Sequence, residues 1–253
     1  MNTFIGIIPA RYASTRFPGK PLVKINGKPM VQHVYEQASK AIEQVYIATD
    51  DSRIEEAVLQ FGGKVIMTSP EHQSGTDRIA EAVASLEKLG VFANVIINIQ
   101  GDEPFIKTEQ IQQLKSCFLK EETQIATLIK KIEKEEELFD TNKPKVAITT
   151  TGKALLFSRS TIPHVRGREV FDWFRKASFF KHIGIYAYKT EVLKEITRLP
   201  QSSLELAESL EQLRWLENGY IIQTAVTDFE AMAVDTPTDL ENLLASLKNT
   251  VIE

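Results

Sequence analysis

Cysteine is almost absent from the 253-residue sequence, in which Cys117 is the single example. One thiol excludes an internal disulfide and a metal site built from several thiolates. Cys117 continues the apolar rhythm of Ile111, Leu114 and Phe118, which favours a buried position in a helix over a reactive thiol. The four histidines also lack the close spacing of a zinc site.

Long apolar runs are missing as well. No run approaches the roughly 18 to 20 residues that a membrane span requires, and the first residues lack the basic start of a signal peptide. We therefore expect no membrane association and a cytoplasmic location. A net charge of −4 disfavours a nucleic-acid partner, because nucleic-acid-binding domains usually carry a basic excess. The acidic cluster at residues 131–137 is interpreted as a solvated face or a helix start, without assigned chemistry.

Acidic residues are absent from the first 35 residues of the chain. That segment instead carries five cations, namely Arg11, Arg16, Lys20, Lys24 and Lys28. Three of them share a loop with three prolines, directly after a predicted strand at residues 4–8. Pro9 is expected to end that strand, because it has no N–H to donate. A stiff cationic loop favours phosphate binding, since arginine forks and lysine charges suit phosphate oxygens; a solvated basic surface loop is the alternative.

The two common glycine-rich phosphate signatures are also absent. The sequence contains neither Gly-x-x-x-x-Gly-Lys-Ser/Thr nor Gly-x-Gly-x-x-Gly. A P-loop nucleotide site and a dinucleotide site of the usual kind therefore lose support.

The first half of the chain alternates short apolar segments with amphipathic ones. Strands are predicted at residues 4–8, 45–48, 64–67 and 95–99, and helices follow them. This alternation predicts an α/β fold with a mostly parallel, doubly wound sheet. Because ligands of such sheets bind beyond the carboxyl ends of the strands, the polar clusters at residues 11–20, 49–51 and 100–103 are expected to converge on one site.

The second half has a different pattern. Strand-like segments at residues 125–129, 145–150 and 179–188 lack long helices between them, which predicts a smaller β-rich lobe. Residues 203–216 show helical spacing, and residues 236–239 carry a capping-box pattern that predicts the start of a last helix. We place the α/β core at residues 1–130 and 221–253, and the lobe at residues 131–220.

Two aspartates lie where rigid elements would hold them in loops. Asp102 follows the apolar segment 95–99 and Gly101, which lets another backbone or a ligand come close. Asp235 lies between the apolar residues 232–234 and the last predicted helix. Mg²⁺ takes one or two carboxylates together with phosphate oxygens, so the pair suits a metal at a phosphate site. A turn position for Asp102 and a capping position for Asp235 are the alternatives.

Seven motifs, in order, extend over nearly the whole chain. They are I-P-A-R-Y-A-S-T-R-F-P-G-K-P-L from Ile8, H-Q-S-G-T-D-R from His72, Q-G-D-E-P from Gln100, F-S-R-S-T-I-P from Phe157, H-I-G-I-Y from His182, L-E-Q-L-R from Leu210 and V-D-T-P-T-D-L-E from Val234. Together they resemble the 3-deoxy-manno-octulosonate cytidylyltransferases, also called CMP-Kdo synthetases. Several separate motifs in one order are far more specific than any one of them.

The resemblance implies transfer of CMP from CTP to Kdo, an acidic eight-carbon sugar, with release of pyrophosphate for lipopolysaccharide assembly. It implies a nucleotidyltransferase sheet of the GT-A-like type, a Mg²⁺ cofactor on Asp102 and Asp235, and a homodimer whose lobe also binds sugar. A related enzyme for another acidic sugar, such as an amino-substituted Kdo, and a non-catalytic nucleotide-binding regulator are the alternatives. No general base is identified.

The matching motifs also imply residue roles. The nucleotide is assigned to Pro9, Ala10, Arg11, Lys20, Ser74, Arg78 and Gln100. The sugar is assigned to Arg16, Arg159, His182, Tyr186, Glu211 and Gln212. Catalysis is assigned to Lys20, Arg11, Arg16, Asp102 and Asp235, with the cations neutralising the triphosphate. The aromatic residues of the lobe have a dimer interface as an alternative role: Phe171, Trp173, Phe174, Phe179 and Phe180.

Overall fold

The structure is a computed structural model that describes residues 2–72 and 74–250. The chain divides into two compact units. The first unit comprises Met1–Ile111 and Ala231–Glu253, and the second unit comprises Gln112–Glu230. None of the helices formed by the described residues is long and apolar enough to cross a membrane.

The described residues form eleven strands and ten α-helices. The strands are β1 (Phe4–Ala10), β2 (Lys24–Ile25), β3 (Lys28–Pro29), β4 (Gln44–Thr49), β5 (Val65–Met67), β6 (Val95–Asn98), β7 (Ile125–Lys131), β8 (Lys145–Ile148), β9 (Ala154–Ser158), β10 (Phe180–Lys189) and β11 (Ile222–Val226). The helices are α1 (Met30–Ser39), α2 (Ser52–Gln60), α3 (Gly75–Lys88), α4 (Thr108–Cys117), α5 (Glu135–Phe139), α6 (Trp173–Lys176), α7 (Thr190–Ile196), α8 (Ser203–Glu208), α9 (Gln212–Glu217) and α10 (Pro237–Thr250).

The first unit is built on a parallel sheet in the order β6, β1, β4, β5. In its central strand β1, Ile7 pairs with Tyr46 on one side and with Asn98 on the other. Ile7 and Ile8 are both fully buried. Strands buried on both faces consist of continuous apolar runs, which is why the sequence reveals them. The predicted α/β fold with a mostly parallel sheet is confirmed.

Pro9 does not end β1, which continues to Ala10. The Ile99 N–H donates to the Ile7 carbonyl at 3.0 Å, so Ile7 makes its ladder bonds on the β6 side. Alternate residues of a parallel strand bond to the same neighbour, which turns Pro9 toward the β6 side beyond Asn98, where β6 ends. The missing N–H of Pro9 therefore affects only the β6 side, whereas pairing with β4 continues to Ala10, and the predicted strand end was wrong.

Local sequence explains two further features of the first unit. Asn26 and Gly27 form the turn between β2 and β3, with positive φ angles of 48° and 83°. The inner face of α1, formed by Met30, Val34 and Ala38, is fully buried. Its burial fixes α1 on the core of the first unit.

The second unit holds both parallel and antiparallel pairs. Strand β11 runs parallel to β7, β7 is antiparallel to β10, and β8 is antiparallel to β10 and β9. Residues 112–130 and 221–230 lie in this unit, because β7 pairs with β10 and β11 pairs with β7. The sequence pattern assigns both ranges to the core instead.

The helical segment at residues 203–216 is interrupted. Helix α8 ends at Ser209, which has a positive φ of 51°, and α9 begins at Gln212. Leu206 is 63% exposed, whereas Leu210 and Leu213 are buried. The predicted spacing therefore belongs to two short helices with different buried faces.

A buried lysine organises an ionic cluster in the second unit. Lys181 is 2% exposed, and its Nζ lies 2.5 Å from Glu137 Oε1 and 2.5 Å from Glu230 Oε2. Lys143 donates to the same Glu137 oxygen at 2.6 Å. Burial opposes ionisation of Glu137, but the hydrogen bonds from Lys143 and Lys181 outweigh it and lower its pKa from 4.5 to about 2. The 131–137 cluster contains the predicted helix start, since α5 begins at Glu135, but Glu137 does not belong to a solvated face.

We expect Glu137→Gln to lower the free energy of unfolding by about 1–3 kcal/mol near pH 7, because Lys181 loses a charged partner. The carboxylate contributes stability above its unfolded pKa of 4.5, and this contribution is lost as the pH falls toward the folded value of about 2. Urea unfolding from about pH 7 to about pH 3 should therefore show a shrinking difference from the parent protein. The control Glu136→Gln, at an exposed neighbour on α5, should change little. Equal midpoints for both variants near pH 7 would contradict this role.

Candidate active site

A cavity of about 270 Å³ lies in the first unit, where β1 and β6 end. It is lined by Pro9, Ala10, Arg11, Ser14, Thr15, Arg16, Lys20, Pro21, His72, Ser74, Gly75, Arg78, Gln100, Gly101, Asp102 and Asp235. All seven residues assigned to the nucleotide are among them. The cavity also brings together all five residues assigned to catalysis.

One ammonium group joins the two aspartates. Lys20 Nζ donates to Asp102 Oδ2 at 2.9 Å and to Asp235 Oδ1 at 3.0 Å. The guanidinium of Arg16 lies 3.2 Å from the same Asp235 oxygen. Carboxylates that are 133 positions apart in the sequence therefore lie within reach of a single cation.

Backbone contacts fix the segments that carry these aspartates. The Val234 N–H donates to the Asp102 carbonyl at 2.9 Å, which joins the two segments directly. Asp239 Oδ2 accepts from the backbone N–H groups of Thr236 at 2.8 Å and Asp235 at 3.1 Å, and Thr236 Oγ1 accepts from the Asp239 N–H at 3.2 Å. The predicted capping box is confirmed. Because Asp239 caps α10, the side chain of Asp235 is left to face Lys20.

Gly101 places Asp102 at the cavity by a close backbone approach. A Cβ atom at this position would lie 2.7 Å from the Pro9 carbonyl oxygen, a distance that side-chain carbons do not tolerate. The predicted close approach at Gly101 is confirmed, and its partner is the end of β1.

Gly101→Ala should destabilise the protein by on the order of 1–3 kcal/mol, because the new methyl group must displace backbone rather than a side chain. Gly75→Ala is a matched control, since its Cβ would also meet Pro9 but at 3.5 Å from Cγ. Thermal unfolding should show a lower midpoint for Gly101→Ala only. Unchanged stability of Gly101→Ala would contradict the steric argument.

Arg78 and Ser74, which are both assigned to the nucleotide, also have partners within the protein. Arg78 is 3% exposed, and it donates from Nη1 to Thr68 Oγ1 at 2.6 Å and from Nη2 to Asp50 Oδ2 at 3.1 Å. Ser74 caps α3 by accepting from the Asp77 N–H at 3.0 Å. Both residues line the cavity, and their direct contact with a nucleotide stays a prediction.

The polar cluster at residues 49–51 does not line the cavity. Asp50 reaches it only through Arg78. Asp51 caps α2 and binds Arg53, with oxygen–nitrogen distances of 2.9 and 2.6 Å. The expected convergence therefore holds for the clusters at residues 11–20 and 100–103. It fails for the cluster at 49–51, because the side chains of Asp50 and Asp51 bind residues of neighbouring helices.

His72 lines the cavity but was assigned no role from the sequence. Its Nε2 pairs with Glu81 Oε2, which also accepts from the Ser69 N–H at 2.8 Å. Burial opposes ionisation of Glu81, but the hydrogen bonds from His72 and Ser69 prevail and lower its pKa. The sequence signal that could have identified His72 as a cavity residue is its position directly before the N-terminus of α3. The adjacent Gln73 lies outside the described residues.

His182 and Tyr186, both assigned to the sugar, lie together in the second unit with ring centroids 5.1 Å apart. His182 Nε2 lies 2.9 Å from Thr127 Oγ1, which is 2.8 Å from the Ile185 carbonyl. The single hydroxyl hydrogen of Thr127 suits the carbonyl, so Nε2–H of His182 donates to Thr127. Burial lowers the pKa of His182 to about 3, and its imidazole is therefore neutral.

The hydroxyl group of Tyr186 is buried and has no hydrogen-bond partner among the described residues. Tyr186 is 7% exposed and packs edge to face on Trp215, with centroids 5.1 Å apart. Burial raises the pKa of this phenol well above its usual value. An orphaned buried hydroxyl is uncommon and calls for an explanation, of which a missing ligand is one.

Arg159 is held by the backbone of its own unit. Its Nε donates to the Glu208 carbonyl at 2.6 Å, its Nη1 to the Thr141 carbonyl at 3.0 Å and its Nη2 to the Ser209 carbonyl at 3.3 Å. All three nitrogens are thus engaged. Arg159 thereby joins the end of β9 to the end of α8, and its direct contact with the sugar stays a prediction.

The two other residues assigned to the sugar in this unit lie at the start of α9. Gln212, its first residue, is 5% exposed, and Glu211 precedes it. Glu211 Oε1 lies 3.7 Å from Arg214, which forms a buried two-point ion pair with Glu205 at 2.6 and 2.8 Å. The ion pair of Arg214 fixes the helix that presents Gln212.

The aromatic residues of the second unit are partly core. Trp173 and Phe179 belong to a buried cluster with Ile132 and Leu138, and Phe174 packs against it. The side chains of Trp173 and Phe179 therefore serve the core of this unit, and a dimer-interface role for the aromatic residues stays untested. The side chain of Phe171 lies outside the described residues.

Comparison with known proteins gives consistent matches. Residues 5–228 match the family model described as cytidylyltransferase. A 3-deoxy-manno-octulosonate cytidylyltransferase of Parabacteroides distasonis is 57% identical and covers 98% of this chain and 100% of that protein. One of Bacteroides thetaiotaomicron is 55% identical and covers 97% and 98%. The solved structure of a CMP:2-keto-3-deoxy-manno-octonic acid synthetase complexed with CTP has a TM-score of 0.89, 43% identity and coverage of 98% and 99%.

Proposed function

Because the chain belongs to the 3-deoxy-manno-octulosonate cytidylyltransferase family, we propose that it transfers CMP from CTP to Kdo and releases pyrophosphate. The observation that carries this proposal is the cavity of the first unit, in which Lys20 joins Asp102 and Asp235 beside a cationic loop. The product would supply activated Kdo for lipopolysaccharide.

The charges of the cavity suit a triphosphate. Arg11, Arg16 and Lys20 all line it. Arg16 and Lys20 both bind Asp235. The anomeric hydroxyl of Kdo attacks the α-phosphorus, and the bond to the pyrophosphate oxygen breaks. Fixed cations stabilise the charge that collects on the leaving group, because they need no reorganisation during the reaction.

We also propose Mg²⁺ as the cofactor. Two carboxylates within reach of one ammonium offer the oxygen ligands that Mg²⁺ prefers. Among the described residues no group of three or more His, Cys, Asp or Glu could hold a metal, so phosphate oxygens and water would complete the ligand set. Bound Mg²⁺ would supply further neutralisation of the triphosphate, and Lys20 would exchange its carboxylate partners for phosphate oxygens.

The sugar is proposed to bind in the second unit. The orphaned hydroxyl of Tyr186 and the neutral imidazole of His182 suit the hydroxyl groups of a sugar. The homodimer and the cytoplasmic location stay predictions.

Pyrophosphate release tests the function directly. CTP would be offered with a panel of acidic sugars that includes Kdo and an amino-substituted Kdo, and UTP and ATP would replace CTP in parallel. We expect turnover with CTP and Kdo and strong discrimination against UTP, because a site of buried polar groups rejects a mismatched base. Turnover with the amino sugar alone would favour the related enzyme. Nucleotide binding without turnover on any sugar would favour a regulator.

Asp102→Asn and Asp235→Asn should each lower kcat by on the order of a hundredfold or more while the fold is retained, because each removes charge at the reacting phosphates. Turnover would be measured across a Mg²⁺ titration, with circular dichroism to check folding. Asp228→Asn, at an exposed position, is the control. Parent-like rates of either variant at saturating Mg²⁺ would refute the two-carboxylate site.

Gln212→Ala should raise the KM for Kdo by roughly tenfold, or about 1.4 kcal/mol, and leave the KM for CTP unchanged. Gln201→Ala, exposed in the same unit, should change neither value. Arg159→Ala is expected mainly to lower the unfolding midpoint, because three carbonyls lose their donor. An unchanged KM for Kdo in Gln212→Ala would show that α9 does not contact the sugar.

A further inference from the structure

Arg53 belongs to none of the seven sequence motifs, yet it contacts the loop that carries the cations. Its Cζ lies 3.3 Å from the centroid of the Tyr12 ring, within stacking distance of the aromatic face. Asp51 holds the guanidinium from the other side, through Nε at 2.9 Å and Nη2 at 2.6 Å. The planar group is therefore fixed in orientation, although its side chain is 57% exposed.

Tyr12 closes the cation loop, defined here as residues 11–20. Its carbonyl accepts from the N–H groups of Ser14 and Gly19, both at 2.9 Å. Its ring covers Gly19, where a Cβ atom would lie 3.1 Å from ring carbons and where φ is +72°. Lys20 follows Gly19 directly. The position of the Tyr12 ring therefore determines where the backbone of Lys20 lies, and from there the side chain carries the ammonium group.

The rest of the cation loop has few anchors. Arg11, Thr15 and Arg16 are exposed. Phe17 packs on the buried cluster that includes Val234, which anchors the middle of the loop. The side chains of Arg16 and Lys20 bind Asp235, and Lys20 also binds Asp102. Tyr12 anchors the start of the loop, and its outer contact is Arg53.

We propose that Arg53 is a positioning residue for the cation loop: held by Asp51, it stacks on Tyr12 and thereby fixes the cations that meet the triphosphate. This inference rests on the proposed function for its kinetic effect, but not for its effect on the loop. Removal of Arg53 loosens the loop and weakens binding of CTP. The chemical step, once CTP is bound, proceeds at the parent rate.

Limited proteolysis tests the loop without any substrate. Trypsin cleaves after Arg11 and Arg16, and mass spectrometry gives the rate at each bond. Arg53→Ala should accelerate cleavage at both bonds severalfold, and Arg53→Lys should restore part of the protection because it keeps the charge. Lys64→Ala is the matched control, since Lys64 lies over the Tyr46 ring at 5.3 Å; it should leave cleavage unchanged. Parent-like cleavage in Arg53→Ala would overturn the inference.

Steady-state kinetics then test how Arg53 acts. Arg53→Ala should raise the KM for CTP by roughly three- to tenfold, with kcat and the KM for Kdo unchanged. In a Tyr12→Leu background the same substitution should add nothing, because the ring that transmits its effect is gone. A full additional rise in that background would show direct contact of Arg53 with the nucleotide and refute the positioning role. Faster cleavage in Arg53→Ala, combined with no turnover of CTP by the parent protein, would uphold the loop inference and refute the proposed function.

Discussion

The ammonium group of Lys20 between Asp102 and Asp235 is the interaction on which the candidate site depends. Two carboxylates this close repel each other, and the repulsion is costly where water is partly excluded. A cation between them removes that cost. The surrounding backbone makes this arrangement repeatable: Gly101 packs against the end of β1, and the Val234 N–H binds the Asp102 carbonyl. Main-chain contacts therefore bring the two aspartates together, and the positive charge of Lys20 stabilises their proximity.

The same arrangement explains how a site for a highly charged ligand is stable without that ligand. Arg78 is matched by Asp50, and Lys20 and Arg16 share Asp235. Arg78, Lys20 and Arg16 thus each have an internal anion, so much of the charge of the ligand-free cavity is balanced. A triphosphate that arrived with Mg²⁺, as proposed, would bring both signs and would allow carboxylates and cations to exchange partners. Exchange of this kind would favour joint binding of nucleotide and metal.

The sequence predicted what local chemistry determines. Buried parallel strands appear as apolar runs, and the polar residues that follow them lie at one edge of the sheet, which predicted the clusters at 11–20 and 100–103. Ser74 and Arg78 were named only because their motif resembles that of a known family. Features set by distant partners could not be predicted in this way. Strand β1 continues through Pro9 because β4 pairs with it as far as Ala10, and Glu137 is ionised beside Lys181, 44 positions away. The segments at 112–130 and 221–230 join the second unit because β7 and β11 pair, which no local pattern reveals.

The residues assigned to the sugar differ in their hydrogen-bond partners within the protein. Arg159 donates from all three guanidinium nitrogens to carbonyls, so three of its five N–H groups are already used within the protein. Tyr186 is in the opposite position, because its buried hydroxyl has no partner among the described residues. Leaving such a group unpaired costs about 1–3 kcal/mol, and a ligand hydroxyl at that point recovers this free energy on binding. If a sugar hydroxyl binds there, as proposed, a deoxy sugar that lacks it would not recover this free energy, and the phenol would contribute to selectivity as well as to affinity.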